Sequence, residues 1–282
     1  MAAVTRADVV RIGQRLPSAP QVFGQIGKLL ADPNSSLNQV VELVRLDAAL
    51  AFRVLQASNG AYYGFTERCS SLDEAINRLG FREIHRLVGV IAAQNLFNSE
   101  LRIHQVSGQL VWENSVASAL GMEWLTREKR GDEPLAYASG LLRSIGKIVL
   151  DGLFPAAAAA GRAYPGEATQ PVLPAWERRV FGTTNTEIGA MLMEHWKFPR
   201  QMSEAVRLHL EPECVPEAPE EAYLLNLTGW VVVQLGKGLP GESACWKVSP
   251  AHLTAAGVTE AQLEQCVMET RTALNDVKSA WR

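Results

Sequence analysis

The sequence lacks most features of a metal-binding, disulfide-rich or membrane-spanning protein. Its four cysteines form no CxxC pair, whereas zinc sites and small disulfide scaffolds need close or numerous cysteines. Its apolar runs fall far short of the ~20 residues that span a bilayer. The first residues also lack the basic-then-apolar order of a signal peptide. We therefore expect a cytoplasmic protein with free thiols and no membrane span.

A strong charge of either sign is absent as well. The chain has 27 basic and 30 acidic residues, which gives a formal net charge of -3. Such a balance provides no overall field that recruits nucleic acid, so we expect no nucleic-acid partner. The pattern favours no particular oligomeric state. A hydrophobic content of 47% is ordinary for a globular protein.

Strand-like alternation is nearly absent, and helix-capping signals recur along the chain. A capping box places Ser or Thr three residues before Glu or Gln at a helix start. Four such pairs are Ser36 with Gln39, Ser71 with Glu74, Thr184 with Glu187, and Thr259 with Gln262. Five helices with short links are predicted in the first third, and a single helix is predicted from Leu135 to Leu150. The pattern predicts an all-α protein.

The segment 211–221 is acidic and rich in proline. This composition is typical of an exposed linker or a rigid loop. A further helix, a glycine-rich turn at residues 236–241 and a final amphipathic helix are predicted beyond it.

Several short motifs occur in a fixed order before residue 100. They are Leu16-Pro17-Ser18-Ala19-Pro20, Asp47-Ala48-Ala49-Leu50, Asn59-Gly60-Ala61-Tyr62-Tyr63-Gly64, and the run from Ser70 to Gly80. Together they resemble the HDOD domain, an HD-related output domain that is a degenerate relative of the HD and HD-GYP metal-dependent phosphohydrolases. The resemblance extends from about Leu16 to Leu210.

The resemblance implies a fold and a biological setting. It implies an all-α protein in which an N-terminal five-helix subdomain, residues 1–100, packs on an HD-like helical subdomain, residues 101–282. The second subdomain would include a C-terminal helical extension beyond the 211–221 linker. The family acts in bacterial signal transduction, often near cyclic di-GMP networks or motility control.

The chemistry of the HD phosphohydrolases is missing from the matching positions. In that superfamily a His-Asp pair precedes Ile-Gly-Lys and holds a divalent metal, but here the run reads Gly140-Leu141-Leu142-Arg143-Ser144-Ile145-Gly146-Lys147. Two further histidine positions correspond to Asn114 and Asn185, and only His209 keeps an imidazole. Catalytic divalent metals need at least three protein donors, so we predict no metal, no cofactor and no catalytic residues.

A vestigial HD cavity lined by these residues is therefore predicted. Its five members are Asn114, Arg143, Ser144, Asn185 and His209. Arg143 would project into the cavity, where its guanidinium either forms a structural ion pair with a neighbouring acid or receives a phosphate or carboxylate oxygen. For His209, a packed ring at a helix end is the simpler interpretation.

A second candidate surface is a basic patch. Arg78, Arg82 and Arg86 are spaced four residues apart and would share one face of a continuous helix. Gly80 interrupts that helix, which favours a solvated charged surface over a phosphate-binding stripe.

These observations favour a non-catalytic adaptor that binds another signalling protein, such as a cyclic-di-nucleotide enzyme, a kinase or a response regulator. The alternative is a sensor that binds a nucleotide or cyclic dinucleotide in the vestigial cavity without cleaving it. A residual hydrolase has the least support, because no cluster of acids and histidines replaces the missing one.

Overall fold

The structure is a computed structural model that describes residues 4–17, 19–60, 63, 67–170 and 172–280. These residues form α-helices joined by loops, with one isolated bridge between Leu101 and Val106, which confirms the all-α prediction. The helices are α1 (Arg6–Gly13), α2 (Ala19–Ala31), α3 (Leu37–Arg45), α4 (Ala48–Ser58), α5 (Leu72–Leu96), α6 (Gly108–Glu128), α7 (Glu133–Leu142), α8 (Ile145–Leu153), α9 (Leu173–Phe181), α10 (Asn185–His195), α11 (Arg200–Leu208), α12 (Glu220–Gln234), α13 (Pro250–Ala256) and α14 (Glu260–Ala280). None of the described helices is long and apolar enough to cross a membrane.

The chain divides into two compact units. The N-terminal unit contains the described residues of Pro17–Leu96 and of Thr272–Arg282. The main unit contains those up to Leu16 together with Phe97–Arg271. Residues up to Leu16, which the sequence analysis groups with the N-terminal subdomain, thus lie in the main unit, because α1 packs against α8 and α10.

The N-terminal unit is organised around α5, which packs against α2, α3 and α4. Phe23, Ile26 and Val54 are fully buried in its core. The backbone of α5 leaves helical geometry at Gly80, where φ is 77°. Counting the segments on each side of Gly80 separately, the unit has the five helical segments that the sequence predicts. Residues 61, 62 and 64 of the motif that spans residues 59–64 lie outside the described residues.

The main unit has α6 as a central element, in contact with α7 and α12. Further contacts link four helices in series: α8 packs against α10, α10 packs against α11, and α11 packs against α12. The capping boxes of α10 and α14 form as predicted. Thr184 N donates to Glu187 Oε2 at 3.0 Å, and Thr259 N donates to Gln262 Oε1 at 3.0 Å.

The single helix predicted from Leu135 to Leu150 is wrong. The helix α7 ends at Leu142, and α8 begins at Ile145. The reason is tertiary packing: α8 approaches α10 so closely that a Cβ on Gly146 would lie 1.7 Å from the Asn185 carbonyl oxygen. The chain turns at Arg143 and Ser144 to reach this contact, and the turn places Arg143 at the end of α7.

The acidic, proline-rich segment 211–221 is a loop within the main unit. It connects α11 to α12, which pack against each other. Pro212 is buried and begins a short 3-10 turn, Pro212–Cys214. The segment therefore connects two packed helices of the same unit.

Candidate functional site

Arg143 is the centre of a buried polar network in the main unit, with only 1% of its surface exposed. Its Nε donates to Ser118 Oγ at 3.0 Å, and its Nη2 donates to Asn114 Oδ1 at 2.5 Å. Both Nη1 and Nη2 donate to Glu242 Oε2, each at 3.0 Å. The guanidinium therefore forms a structural ion pair with a neighbouring acid, which is one of the two alternatives expected for Arg143. The acid is Glu242.

Glu242 is also bound by a second cation, Lys147. The Lys147 Nζ lies 3.1 Å from Glu242 Oε1, and both side chains are 1% exposed. Burial alone would raise the pKa of Glu242, but the charges of Arg143 and Lys147 outweigh it and lower the pKa to about 2. The carboxylate is therefore ionised at neutral pH and bridges two buried cations.

Glu242 lies on the loop that joins α12 to α13, residues 235–249, here called the cover loop. Glu167 holds this loop, because its Oε1 accepts from Gly241 N and from Ser243 Oγ, each at 2.8 Å. Gly241 has φ of +82°, and a Cβ there would lie 2.7 Å from the Tyr164 ring. Both conditions require glycine.

Trp246 and His209 close the network on another side. The Trp246 ring lies 5.2 Å from Arg143 Cζ, a cation–π contact. It also stacks on the His209 ring at a centroid distance of 6.0 Å. His209 Nδ1 donates to the Val206 carbonyl oxygen at 2.7 Å, which leaves Nε2 as an acceptor 3.4 Å from Arg143 Nη1. Burial and the charge of Arg143 lower the pKa of His209 to about 3, so its ring is neutral.

Asn185 belongs to a neighbouring buried cluster. Its backbone N and its Nδ2 donate to Glu177 Oε2 at 2.8 and 2.9 Å. Glu177 Oε1 lies 2.7 Å from His104 Nε2, and both of these side chains are buried. Burial lowers the pKa of His104, and the charge of nearby Lys147 lowers it further.

The structure therefore brings three of the five predicted cavity residues together, namely Asn114, Arg143 and His209. Ser144 is fully buried, and its Oγ has no hydrogen-bond partner in the described part of the chain. Two central residues, Glu242 and Lys147, are missed at the level of sequence. Lys147 stands in the Ile-Gly-Lys run but looks like an ordinary surface lysine, and no local pattern distinguishes Glu242.

The donor set does not fit a divalent metal. A guanidinium and an ammonium have no lone pair to offer at neutral pH, and the Glu242 carboxylate already bridges both. Among the described residues, no group of three or more His, Cys, Asp or Glu side chains is arranged to hold a metal ion. Arg143, Lys147 and Glu242 therefore form an ion-pair network and do not offer a set of metal donors.

The three arginines of the predicted basic patch lie in the N-terminal unit among acidic residues. Arg78 pairs with Glu74 at 2.5 Å, and Arg86 lies 3.6 Å from Glu83. Gly80, between Arg78 and Arg82, interrupts the helix as expected. Arg78 and Arg86 thus each have an acidic neighbour, which favours a charged surface of mixed sign over a phosphate-binding stripe.

Fold and site together define an all-α protein whose main unit encloses a buried ion-pair network. The family model of the HDOD domain matches residues 16–212. The chain belongs to the HDOD domain family.

Several solved structures have a similar fold. An HDOD domain protein with unknown function from Geobacter sulfurreducens is 18% identical, with a TM-score of 0.66 over 96% of this chain and 97% of that one. A protein from Marinobacter aquaeolei VT8, whose name proposes signal transduction, is 23% identical, with a TM-score of 0.74 over 94% of this chain and 58% of that one. A protein from Shewanella amazonensis SB2B, whose name proposes a phosphohydrolase, is 21% identical, with a TM-score of 0.67 over 97% and 98%. At these identities the likeness concerns the fold.

A curated relative is an uncharacterized protein of Treponema pallidum (strain Nichols). It is 26% identical over 218 residues, which are 73% of this chain and 39% of the relative. The chain thus spans about two-fifths of the length of this relative.

Proposed function

We propose that this chain is a non-catalytic signalling protein that acts by binding another signalling protein. The observation that carries the proposal is the Arg143–Glu242–Lys147 network. Arg143, which stands at the position matched to the histidine of the HD His-Asp pair, is 1% exposed and pairs with Glu242, and Glu242 also pairs with buried Lys147. A hydrolase needs a metal-activated water and room for a substrate, and this arrangement favours neither.

The proposed partners are a cyclic-di-nucleotide enzyme, a kinase or a response regulator in the bacterial cytoplasm. Membership of the HDOD family supports this choice, and so does the signalling name of the Marinobacter structure. A connection to cyclic di-GMP signalling or motility control follows from the family's usual setting. A nucleotide sensor has less support, because its ligand would first have to displace Glu242 from Arg143.

The non-catalytic part of the proposal is tested by metal analysis and turnover. We expect the purified full chain to carry far less than one manganese, iron or zinc ion per molecule and to show no hydrolysis of cyclic di-GMP above background. Asn114→Ala is the matched control, because it changes a former ligand position and leaves any contaminating phosphodiesterase unaffected. Stoichiometric metal together with turnover that Asn114→Ala abolishes would overturn the proposal.

The binding part is tested by cross-linking the full chain in lysate of its host, followed by mass spectrometry. Each signalling protein recovered is then purified and titrated with the chain. We expect at least one pair to bind with a micromolar dissociation constant, or about -8 kcal/mol. If no recovered signalling protein binds in isolation, the adaptor function is wrong.

A further inference from the structure

The geometry points to an oxyanion-binding site formed by Arg143 and Lys147, which the chain fills with its own Glu242 carboxylate. The ligand class is a small free oxyanion, with inorganic phosphate as the best match. Such a site goes beyond partner binding, because it gives the interior of the main unit an anion site that accepts an external ion only when the Glu242 carboxylate is absent or displaced.

The two cations are arranged as in a built anion site. The guanidinium of Arg143 directs Nη1 and Nη2 at one oxygen, Glu242 Oε2. Lys147 Nζ faces the other oxygen, Oε1, at 3.1 Å. Arginine forks and lysine point charges are the usual protein ligands of carboxylates and phosphates. Both cations are 99% buried, so they are not the solvated side chains of an ordinary charged surface.

The Glu242 carboxylate and the Lys147 ammonium are imperfectly matched. Their contact at 3.1 Å is an ion pair without good hydrogen-bond geometry, so both Lys147 Nζ and Glu242 Oε1 lack a hydrogen-bond partner among the described residues. A carboxylate offers two oxygens in one plane, whereas a tetrahedral oxyanion offers oxygens in several directions. A tetrahedral ion therefore offers Lys147 Nζ an acceptor direction that Glu242 does not.

The charges of this site are reversed relative to the metal centre of HD hydrolases. In that centre, protein side chains bind exchangeable metal cations. Here the cations are the side chains of Arg143 and Lys147, and the negative charge comes from Glu242 on the cover loop. The cover loop delivers Glu242 as a tethered ligand with a high effective concentration. Three hydrogen bonds hold the backbone of this loop. Gly241 N donates to Glu167 Oε1, Asn226 Nδ2 donates to the Cys245 carbonyl oxygen, and Leu173 N donates to the Gly241 carbonyl oxygen. The unmodified chain therefore excludes external anions while the loop is closed.

Chemical rescue of Glu242→Ala tests the inference. The variant removes the internal carboxylate and leaves Arg143 and Lys147 facing the vacated volume. We expect its melting temperature to fall below that of the unmodified chain and to recover by about 5 °C or more when phosphate exceeds its dissociation constant 100-fold. Ionic strength is kept constant with chloride. The unmodified chain should shift by less than about 1 °C, because Glu242 occupies the site.

Two control variants separate a specific site from general salt effects. Val149→Ala lowers stability by opening a core position of α8 that is fully buried without exposing the cations. Glu242→Ala combined with Arg143→Met removes half of the site. Neither should respond to phosphate. An equal phosphate response in either control, or a larger response of Glu242→Ala to manganese than to phosphate, overturns the inference.

A folding measurement covers the case in which Glu242→Ala is unfolded in chloride alone. Its refolding yield is then measured against phosphate concentration, with sucrose as a general stabiliser for comparison. A yield that rises and saturates with phosphate supports the site. A yield that sucrose restores and phosphate does not overturns it.

Discussion

Arg143 imposes strict physical requirements on its surroundings. A guanidinium remains charged when buried, so it needs acceptors for its donors and a nearby negative charge. Ser118, Asn114 and Glu242 supply them. The acids and amides around Arg143 are therefore coupled to it energetically.

The coupling predicts the outcome of a double-mutant cycle on Arg143 and Glu242. Arg143→Met leaves a buried carboxylate with one cation and should lower the free energy of unfolding by about 3–5 kcal/mol. Adding Glu242→Gln to that variant should recover part of the loss, with an interaction energy of about 0.5–3 kcal/mol. Urea denaturation of the four proteins measures the cycle. Strictly additive losses would show that the two residues do not stabilise each other.

Among the helices, the contact between α8 and α10 determines where the site forms. Gly146 and Gly189 allow the two backbones to meet, and a Cβ on Gly146 would also lie 2.8 Å from Gly189 N. The same contact starts α8 at Ile145 and so places Lys147 one turn beyond Arg143. The position of both cations thus depends on a glycine in the helix contact.

Gly146→Ala should destabilise the main unit strongly, because the added Cβ meets backbone atoms that cannot rotate away. We expect a loss of about 3 kcal/mol or more. Gly189→Ala is the matched control on the facing helix, where a Cβ would lie 3.3 Å from Gly146 N. Its strain is offset by the higher helix propensity of alanine, so a change within about 1 kcal/mol is expected. Thermal denaturation followed by circular dichroism compares the two; equal losses would contradict this account of the contact.

Across the whole molecule, buried ionisable groups make stability dependent on pH. Burial, with a smaller effect of Arg86, lowers the pKa of His85 in the N-terminal unit to about 3. His209 in the main unit has a pKa of about 3, and Glu242 has a pKa of about 2. All three values lie below those of the unfolded chain. On acidification the unfolded state therefore binds more protons, and stability falls as the pH falls.

The buried histidines predict a measurable slope in the free energy of unfolding plotted against pH, between about pH 6.5 and pH 4. Each buried histidine should remove up to about 1.4 kcal/mol per pH unit in this range, because it is protonated only in the unfolded state. His209→Gln should reduce the slope by one such contribution, since glutamine can still accept from Arg143. Urea denaturation of the unmodified chain and of His209→Gln at several pH values measures the slope; an unchanged slope in His209→Gln would show that this histidine titrates normally in the folded chain.

The helix starts were predictable because capping acts over three or four residues. The pairs Thr184 with Glu187 and Thr259 with Gln262 form the expected hydrogen bonds. A similar signal, Thr5 with Asp8, caps α1 and is visible in the sequence. The break between α7 and α8 was not predictable from a local window, because its cause is the Asn185 backbone on another helix.

The candidate site was predictable in part. Alignment of motifs identified Asn114, Arg143 and His209, which do meet in the structure. Glu242 could not be identified, because 99 positions separate it from Arg143 along the chain. Its burial depends on the left-handed turn at Gly241 and on the Glu167 contacts, and a glycine-rich turn has many other conformations.

The amino-acid sequence by itself determined the helical class, the main capping positions and the presence of Arg143-Ser144 before Ile145-Gly146-Lys147. Each of these depends on side-chain chemistry at one position or on neighbours a few residues apart. Only the tertiary structure decided that Arg143 and Lys147 share the carboxylate of Glu242. The physical reason is that a buried charge must find a counter-charge in space, and the distance along the chain to that partner has no influence on their attraction.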